Sequence, residues 1–323
     1  MKRPLIILTG PTAVGKTHLS IALAKAVNGE IISADSMQVY KQMDIGTAKI
    51  RPEEMDGVPH HLVDILSPKE EFNIVRFQQM AKSAMEEIYQ KGRIPILVGG
   101  TGFYIQAVLY DIDFTETCED KEYREELWKL AQKEGDEAVH NLLKKKDPKA
   151  AEEIHPHNVK KVIRALEFYK STGRPISEHN EEQRKKESPY HFLYLVLNQD
   201  REILYKRIEK RIDQMIEEGL LEEVKSLKAQ GCHKDMVSMK GLGYKEILSY
   251  LDGEMEFSEA IELLKKETRH FAKRQLTWFR REKEPVWIQK GEFENEDQIL
   301  EYILKLLKEK KILSDYSKAD ERK

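Results

Sequence analysis

The sequence predicts an α/β protein: a P-loop doubly wound parallel sheet with a helical insertion domain and a helical C-terminal part. Three observations carry this. A short apolar run at 4–8 leads into Gly10-Pro11-Thr12-Ala13-Val14-Gly15-Lys16-Thr17 and then into a helical pattern, the order a phosphate-binding loop requires. Strand-like segments at 5–9, 30–34, 95–99, 192–197 and 285–289 are separated by helical patterns, as parallel strands joined by crossovers are. Between 115 and 190 the strand signal stops and helical periodicity remains alone. The expected domains are a P-loop core in two parts, 1–114 and 191–323, with 115–190 as a helical insertion.

The first loop has a physical reason for each residue type. Gly10 and Gly15 let backbone N–H groups crowd an anion with no Cβ in the way. The helix starting near Lys16 points its positive end at that anion. The Lys16 ammonium adds a full charge, and the Thr17 hydroxyl is placed to hold Mg²⁺ bridging phosphates. The chain is therefore expected to bind a polyphosphate, and the pattern does not say which.

Composition sets bounds. With 323 residues, 40% apolar and 34% charged, the chain can bury a core and stay soluble. No apolar run reaches the length of a membrane span. Met1-Lys2-Arg3 followed by apolar residues superficially resembles a signal peptide, but the apolar part runs straight into the loop. Cys118 and Cys232 are far apart and lack paired metal spacing, which fits a reducing, cytoplasmic setting without a zinc site or disulfide framework. A net charge of −3 leaves nucleic-acid binding to the local distribution of charge.

After the first helix, the second strand ends in Asp35-Ser36-Met37-Gln38. Ligands of open α/β sheets sit beyond the carboxyl ends of strands, so Asp35 is a candidate site residue; capping the following turn is an equally good role, and the two are compatible. Residues 41–75 read as a loop, with the adjacent His60 and His61 structural for want of a third metal ligand at suitable spacing. A helix is expected over 75–90. The third strand enters Gly99-Gly100-Thr101-Gly102, a turn open to close approach by a ligand, with Thr101 as its hydrogen-bond donor. In the insertion, 127–147 reads as a helical pair. The apolar residues at 159, 162, 163 and 166 turn inward on a helix that projects Lys160, Lys161 and Arg164. Residues 178–189 are polar and expected to be mobile. In the second core part, a helix over 201–218 carries Lys206, Arg207, Lys210 and Arg211. Lys240-Gly241-Leu242-Gly243-Tyr244-Lys245 is a glycine turn flanked by lysines. Residues 258–283 form one long helix, buried through Ile261, Leu264, Thr268, Phe271, Gln275 and Phe279. Eight Lys/Arg stand against two Glu between 265 and 283, beside Trp278. An RNA-backbone surface and a solvated charged face explain this equally well on pattern alone.

These pieces allow a P-loop nucleotide or nucleoside kinase-type phosphotransferase, with Asp35 activating a hydroxyl, or a non-catalytic RNA-binding P-loop protein. A third reading comes from a resemblance. The motifs at 10–17, Asp35-Ser-Met-Gln-Val-Tyr40, Ile45-Gly-Thr-Ala-Lys49, His60-His-Leu-Val-Asp64, Val98-Gly-Gly-Thr-Gly-Phe-Tyr104, Lys161-Val-Ile-Arg-Ala-Leu-Glu167 and Arg274-Gln-Leu-Thr-Trp-Phe-Arg280, taken together and in order, resemble the bacterial tRNA dimethylallyltransferases (tRNA isopentenyltransferases). The resemblance runs from residue 4 to about 290. Phe103 stands where that family usually has leucine, and Lys161 where it commonly has arginine.

The resemblance implies transfer of a dimethylallyl group from dimethylallyl diphosphate to N6 of the adenosine immediately 3′ of the anticodon in tRNA. It implies Mg²⁺, held at Thr17, and a loop of residues 10–17 that grips diphosphate rather than ATP. Arg211 resembles the family's second cationic diphosphate ligand, and Thr101 can donate to the same group. Asp35 can take the proton from the attacking amine. The base must be extruded from the anticodon loop to meet Asp35, Ser36, Met37, Gln38 and Thr101. By the same resemblance, Arg124, Lys160, Lys161 and Arg164 of the insertion, Lys240, Gly243, Tyr244 and Lys245 of the turn, and Arg274, Gln275 and Trp278 of the long helix contact the anticodon stem-loop. The expected protein works as a monomer, in the cytoplasm and away from membranes.

Overall fold

The computed structural model describes residues 2–114 and 120–313, and Cys118 lies outside them. The described chain divides into two compact units, 1–109 with 189–323, and 110–188.

The larger unit begins with β1 (Arg3–Thr9), α1 (Lys16–Val27), β2 (Gly29–Ser33) and β3 (His60–His61), followed by α2 (Ile74–Gln90), β4 (Ile94–Gly99) and α3 (Gly102–Leu109). The smaller unit, which follows in sequence, holds α4 (Lys121–Glu134), α5 (Asp136–Lys146), α6 (Pro148–Glu153), α7 (Val159–Thr172) and α8 (Ile176–Lys185). The larger unit resumes with β5 (Tyr190–Asn198), α9 (Arg201–Glu217), α10 (Leu220–Ala229), α11 (Tyr244–Leu251), α12 (Phe257–Phe279), β6 (Val286–Gln289) and α13 (Glu296–Glu309).

One parallel sheet of order β3-β2-β4-β1-β5-β6 organises the larger unit. Leu5, Ile6, Ile7 and Leu8 of the central β1 are fully buried, because helices cover both faces of such a sheet. That is why the strand reads as an unbroken apolar run. β1 lies between β4 and β5, so the loop leaving it opens at the point where the strand order reverses.

One strand was not expected. β3 lies inside 41–75, read from sequence as loop, and consists only of His60 and His61 paired to Ile31 and Ile32. Two polar residues carry no apolar alternation, so periodicity gives no sign of them. Both histidines are structural. His60 Nδ1 lies 2.8 Å from the Val58 carbonyl, and His61 Nε2 lies 2.7 Å from Glu30 Oε2. Burial pushes the Glu30 carboxyl up, but hydrogen bonds from His61, Lys91 and Arg93 outweigh it and hold the group below the usual carboxylate range.

The smaller unit packs on Leu127, Val139, Leu143, Val162, Ile163 and Leu166, and its described residues form helices without strands. Most of the segment 178–189, expected to be mobile, belongs to α8. Buried Asp147 accepts hydrogen bonds from both the backbone N–H and the hydroxyl of Ser177, at 2.9 and 2.6 Å, and so ties down the start of that helix. Among the described residues no helix is long and apolar enough to cross a membrane.

Candidate active site

The loop after β1 has the backbone its sequence requires. Gly10 sits at φ +150°, and a Cβ there would collide with the Leu197 carbonyl of the neighbouring strand. Ala13 adopts φ +62°, a left-handed conformation, and the Val14 N–H that follows closes the turn on the Pro11 carbonyl at 3.4 Å. Lys16 opens α1 and folds back over the loop, its Nζ donating to the Gly10 and Pro11 carbonyls at 2.9 Å each. Burial lowers its pKa to about 8, with the Asp35 carboxylate opposing that shift and the Arg211 guanidinium adding to it. Burial likewise lowers Arg211, against the pull of Asp35. An acid and two bases from three different elements thus share one local field.

Asp35 follows β2, and both of the roles expected for it fit its geometry. Oδ1 accepts from the Met37 N–H at 2.8 Å and, more weakly, from the Gln38 N–H at 3.4 Å, which closes the turn. Among the described residues Oδ2 has no hydrogen-bond partner. One oxygen builds the turn while the other is free to accept a proton or a ligand's hydrogen bond.

Two adjoining cavities meet here. The first, about 490 Å³, is lined by Thr12, Ala13, Gly15, Lys16, Thr17, Asp35, Gln38, Gly99, Gly100 and Arg211, joined by Arg207 and Lys210. The second, about 420 Å³, shares Thr12, Ala13, Asp35, Thr47, Arg211 and Phe271 with it. It adds Ser36, Met37, Thr101, Lys240, Gly243, Tyr244, Lys245 and Arg274, together with the apolar Phe72, Tyr104, Ile208, Ile212 and Leu264. A strongly cationic chamber therefore opens into a more apolar one, with Asp35 and Arg211 on their common wall.

Several residues expected to touch RNA turn out to have structural engagements. The Gln275 side chain is buried between the two glycine loops, accepting from the Thr12 N–H and donating to the Gly100 carbonyl, each at 2.9 Å. Tyr244 is fully buried, its hydroxyl donating to Glu223 at 2.6 Å. Trp278 donates to Glu282 at 2.9 Å and packs edge-on against Phe103, with ring centroids 6.1 Å apart. Around that tryptophan, His270, Lys273, Arg274, Thr277 and Arg281 line a basic cavity of about 380 Å³ on α12. In the smaller unit, Lys160, Lys161 and Arg164 lie exposed along the outer face of α7. Arg124 is held there by Glu167, with Nε at 2.7 Å and Nη2 at 3.1 Å from its oxygens.

Residues 38–282 match the family model described as IPP transferase. The chain belongs to that family. It is 61% identical over 311 residues to a tRNA dimethylallyltransferase of Lachnoclostridium phytofermentans, covering 96% of this chain and 99% of the relative. It is 51% identical over 296 residues to a tRNA dimethylallyltransferase of Acetivibrio thermocellus, covering 92% and 95%. Among solved structures it resembles a full-length tRNA isopentenylpyrophosphate transferase of Bacillus halodurans, with a TM-score of 0.74, 45% identity, and coverage of 99% of this chain and 100% of that one. It also resembles a eukaryotic dimethylallyltransferase acting on tRNA, with a TM-score of 0.78, 32% identity, and coverage of 90% and 75%. The fold of this family is the P-loop sheet described above.

Sequence reasoning missed some residues of this site. Arg207 and Lys210 line the cationic chamber beside Arg211, and their spacing of three and four residues already places them on one helix face. Thr47 and Ala48 also line that chamber, from a loop without periodicity. Glu223 was not foreseen at all, since nothing in its local sequence distinguishes it from the neighbouring Glu222.

Proposed function

We propose that the protein transfers the dimethylallyl group of dimethylallyl diphosphate to N6 of the adenosine immediately 3′ of the anticodon in tRNA, releasing diphosphate. The observation that carries this reading is the continuity of the cationic chamber and the apolar one across Asp35. A phosphoryl-transfer site needs no apolar chamber there, whereas an allylic diphosphate needs both.

The chemistry follows from the charges. The allylic C–O bond breaks with its electron pair going to the leaving diphosphate, which the loop amides, Lys16 and Arg211 stabilise as charge develops. Thr101 adds a neutral donor. The N6 lone pair forms the new N–C bond, and the N6 proton passes to Asp35 Oδ2. The adenosine reaches this point only when extruded from its stack, against Ser36, Met37 and Gln38. The basic residues of α7, the 240–245 turn and the Arg274 face of α12 hold the anticodon stem-loop through its backbone. The proposal includes action as a monomer on cytoplasmic tRNA.

The residues present suit Mg²⁺. Thr17 Oγ1 is a hard oxygen donor beside the cationic chamber, and no group of three His, Cys, Asp or Glu among the described residues could cage a metal alone. Such a sparse set fits an ion that completes its shell with phosphate oxygens and water. Bound there through Thr17, Mg²⁺ would neutralise charge on the diphosphate.

The test is mass analysis of nucleosides from unmodified tRNA incubated with the protein, Mg²⁺ and dimethylallyl diphosphate. The expected product is adenosine carrying one dimethylallyl group at the position 3′ of the anticodon. A phosphorylated product with ATP, and no prenylated one, would overturn the reading.

A further inference from the structure

Glu223, on the first turn of α10, makes more hydrogen bonds than any role in its own helix requires. Its Oε2 accepts from the Asp44 and Ile45 N–H groups at 2.8 Å each. Its Oε1 accepts from the Gly46 N–H at 3.1 Å and from the Tyr244 hydroxyl at 2.6 Å. Three consecutive amides converging on one point form a concavity that ordinarily takes up an anion. Here the anion is supplied by the protein.

Two of the four partners of this carboxylate are walls of the apolar chamber. Gly46 and Tyr244 both line it, and a Cβ at Gly46 would lie 2.6 Å from the Tyr244 ring. Next in sequence, Thr47 and Ala48 line the cationic chamber, and their carbonyls lie 3.4 Å from Gln38 Nε2. Tyr244 is the first residue of the helix that follows the 240–243 turn, so one carboxylate joins the 44–48 loop to the segment opposite it. Burial, and then the charge of Glu223, push the Tyr244 phenol far up, which keeps it a donor.

We infer that Glu223 is a positioning residue that clamps the 44–48 loop against Tyr244 and so sets the width of the chamber that receives the allylic group. The inference rests on the proposed transfer for the identity of that group, and on the hydrogen bonds alone for the clamp. Replacing one acceptor oxygen by an amide NH₂, as in Glu223→Gln, presents a donor to donors and opens one side of the clamp. Tyr244→Phe removes only the hydroxyl and leaves the three amides held.

Two measurements test this. Amide hydrogen exchange of 43–48, in the protein without substrates, should accelerate at least tenfold in Glu223→Gln and less in Tyr244→Phe, because buried hydrogen bonds to a charged acceptor are each worth about tenfold or more. In steady-state transfer, KM for dimethylallyl diphosphate should rise about tenfold in Glu223→Gln, with kcat and tRNA affinity little changed. The clamped wall also predicts that Glu223→Gln accepts geranyl diphosphate better, relative to dimethylallyl diphosphate, than the wild type does. A merely structural carboxylate would lower thermal stability without moving that substrate ratio. Unchanged exchange at 44–46 would overturn the clamp, and accelerated exchange with unchanged KM and substrate ratio would overturn its role in the reaction. Wild-type turnover with dimethylallyl diphosphate separately decides the proposed transfer, so the two cannot fail unnoticed together.

Discussion

The side-chain oxygen of Gln275 accepts a hydrogen bond from the Thr12 amide at 2.9 Å, tying a residue of the long basic helix α12 to the phosphate loop. The same side chain donates to Gly100, so a single amide fixes the spacing between the two glycine loops. A contact to RNA, the role its sequence context suggested, and this bridge predict different defects. Gln275→Glu turns the donor facing the Gly100 carbonyl into an acceptor. It should raise KM for the diphosphate about tenfold or more while leaving tRNA affinity near wild type. Filter binding of tRNA beside steady-state kinetics separates the outcomes, and loss of tRNA binding with an unchanged diphosphate KM would restore the contact role.

Lys16 gives the site a pH dependence with a defined sign. Its ammonium carries charge below about 8 and loses it above. Diphosphate binding by the free protein should therefore weaken, relative to Lys16→Ala, as pH rises through that value, the variant binding weakly throughout and retaining only the dependence that diphosphate's own ionisation imposes. Calorimetry with inorganic diphosphate from pH 6.5 to pH 9.5 reads this directly, and an equal pH dependence in the variant would assign it elsewhere.

Glu282 makes a prediction about stability. Burial raises its carboxyl from 4.5 to about 7, against hydrogen bonds from Trp278 and Gln106. The folded state thus holds a proton that the unfolded chain releases at lower pH. Stability is full below the unfolded value and declines as pH rises from about 4.5 through about 7, by an amount on the order of 3 kcal/mol. Glu282→Gln should raise the melting temperature by several degrees at pH 8 and change it little at pH 5. A gain of the same size at both values would show that the charge is not responsible.

The basic surfaces predict a salt dependence. Lys160, Lys161 and Arg274 are exposed, each on a helix face of one charge sign. If each holds a phosphate, the triple alanine variant should reduce the slope of log affinity against log salt by about two to three. An unchanged slope would remove these residues from the RNA interface.

How much of this was legible varies by element for physical reasons. The phosphate loop could be read because strand, glycines and helix follow one another within a short stretch, and local sequence encodes local backbone. The outer face of α7 was equally open, since periodicity alone separates Val159, Val162 and Ile163 from Lys160, Lys161 and Arg164. β3 was not, because two histidines become a strand only through pairing with distant β2. Gln275 and Tyr244 were recognised as site residues, but their bonds to Thr12 and Glu223 span long stretches of chain, so sequence could not separate propping the site from touching its ligand. For Asp35, the capping and chemical roles are compatible in sequence; Oδ1 closes the turn, and Oδ2, with no hydrogen-bond partner among the described residues, is available for the proposed chemical role.

The most direct test of the account is single-turnover transfer to tRNA by Asp35→Asn. The variant keeps an oxygen able to accept from Met37 and Gln38, so the turn survives, but it cannot take the N6 proton. The rate should fall about 10²- to 10⁴-fold, with tRNA affinity and melting temperature close to wild type and no rescue by excess Mg²⁺. A near-wild-type rate would contradict the assignment of the proton to Asp35.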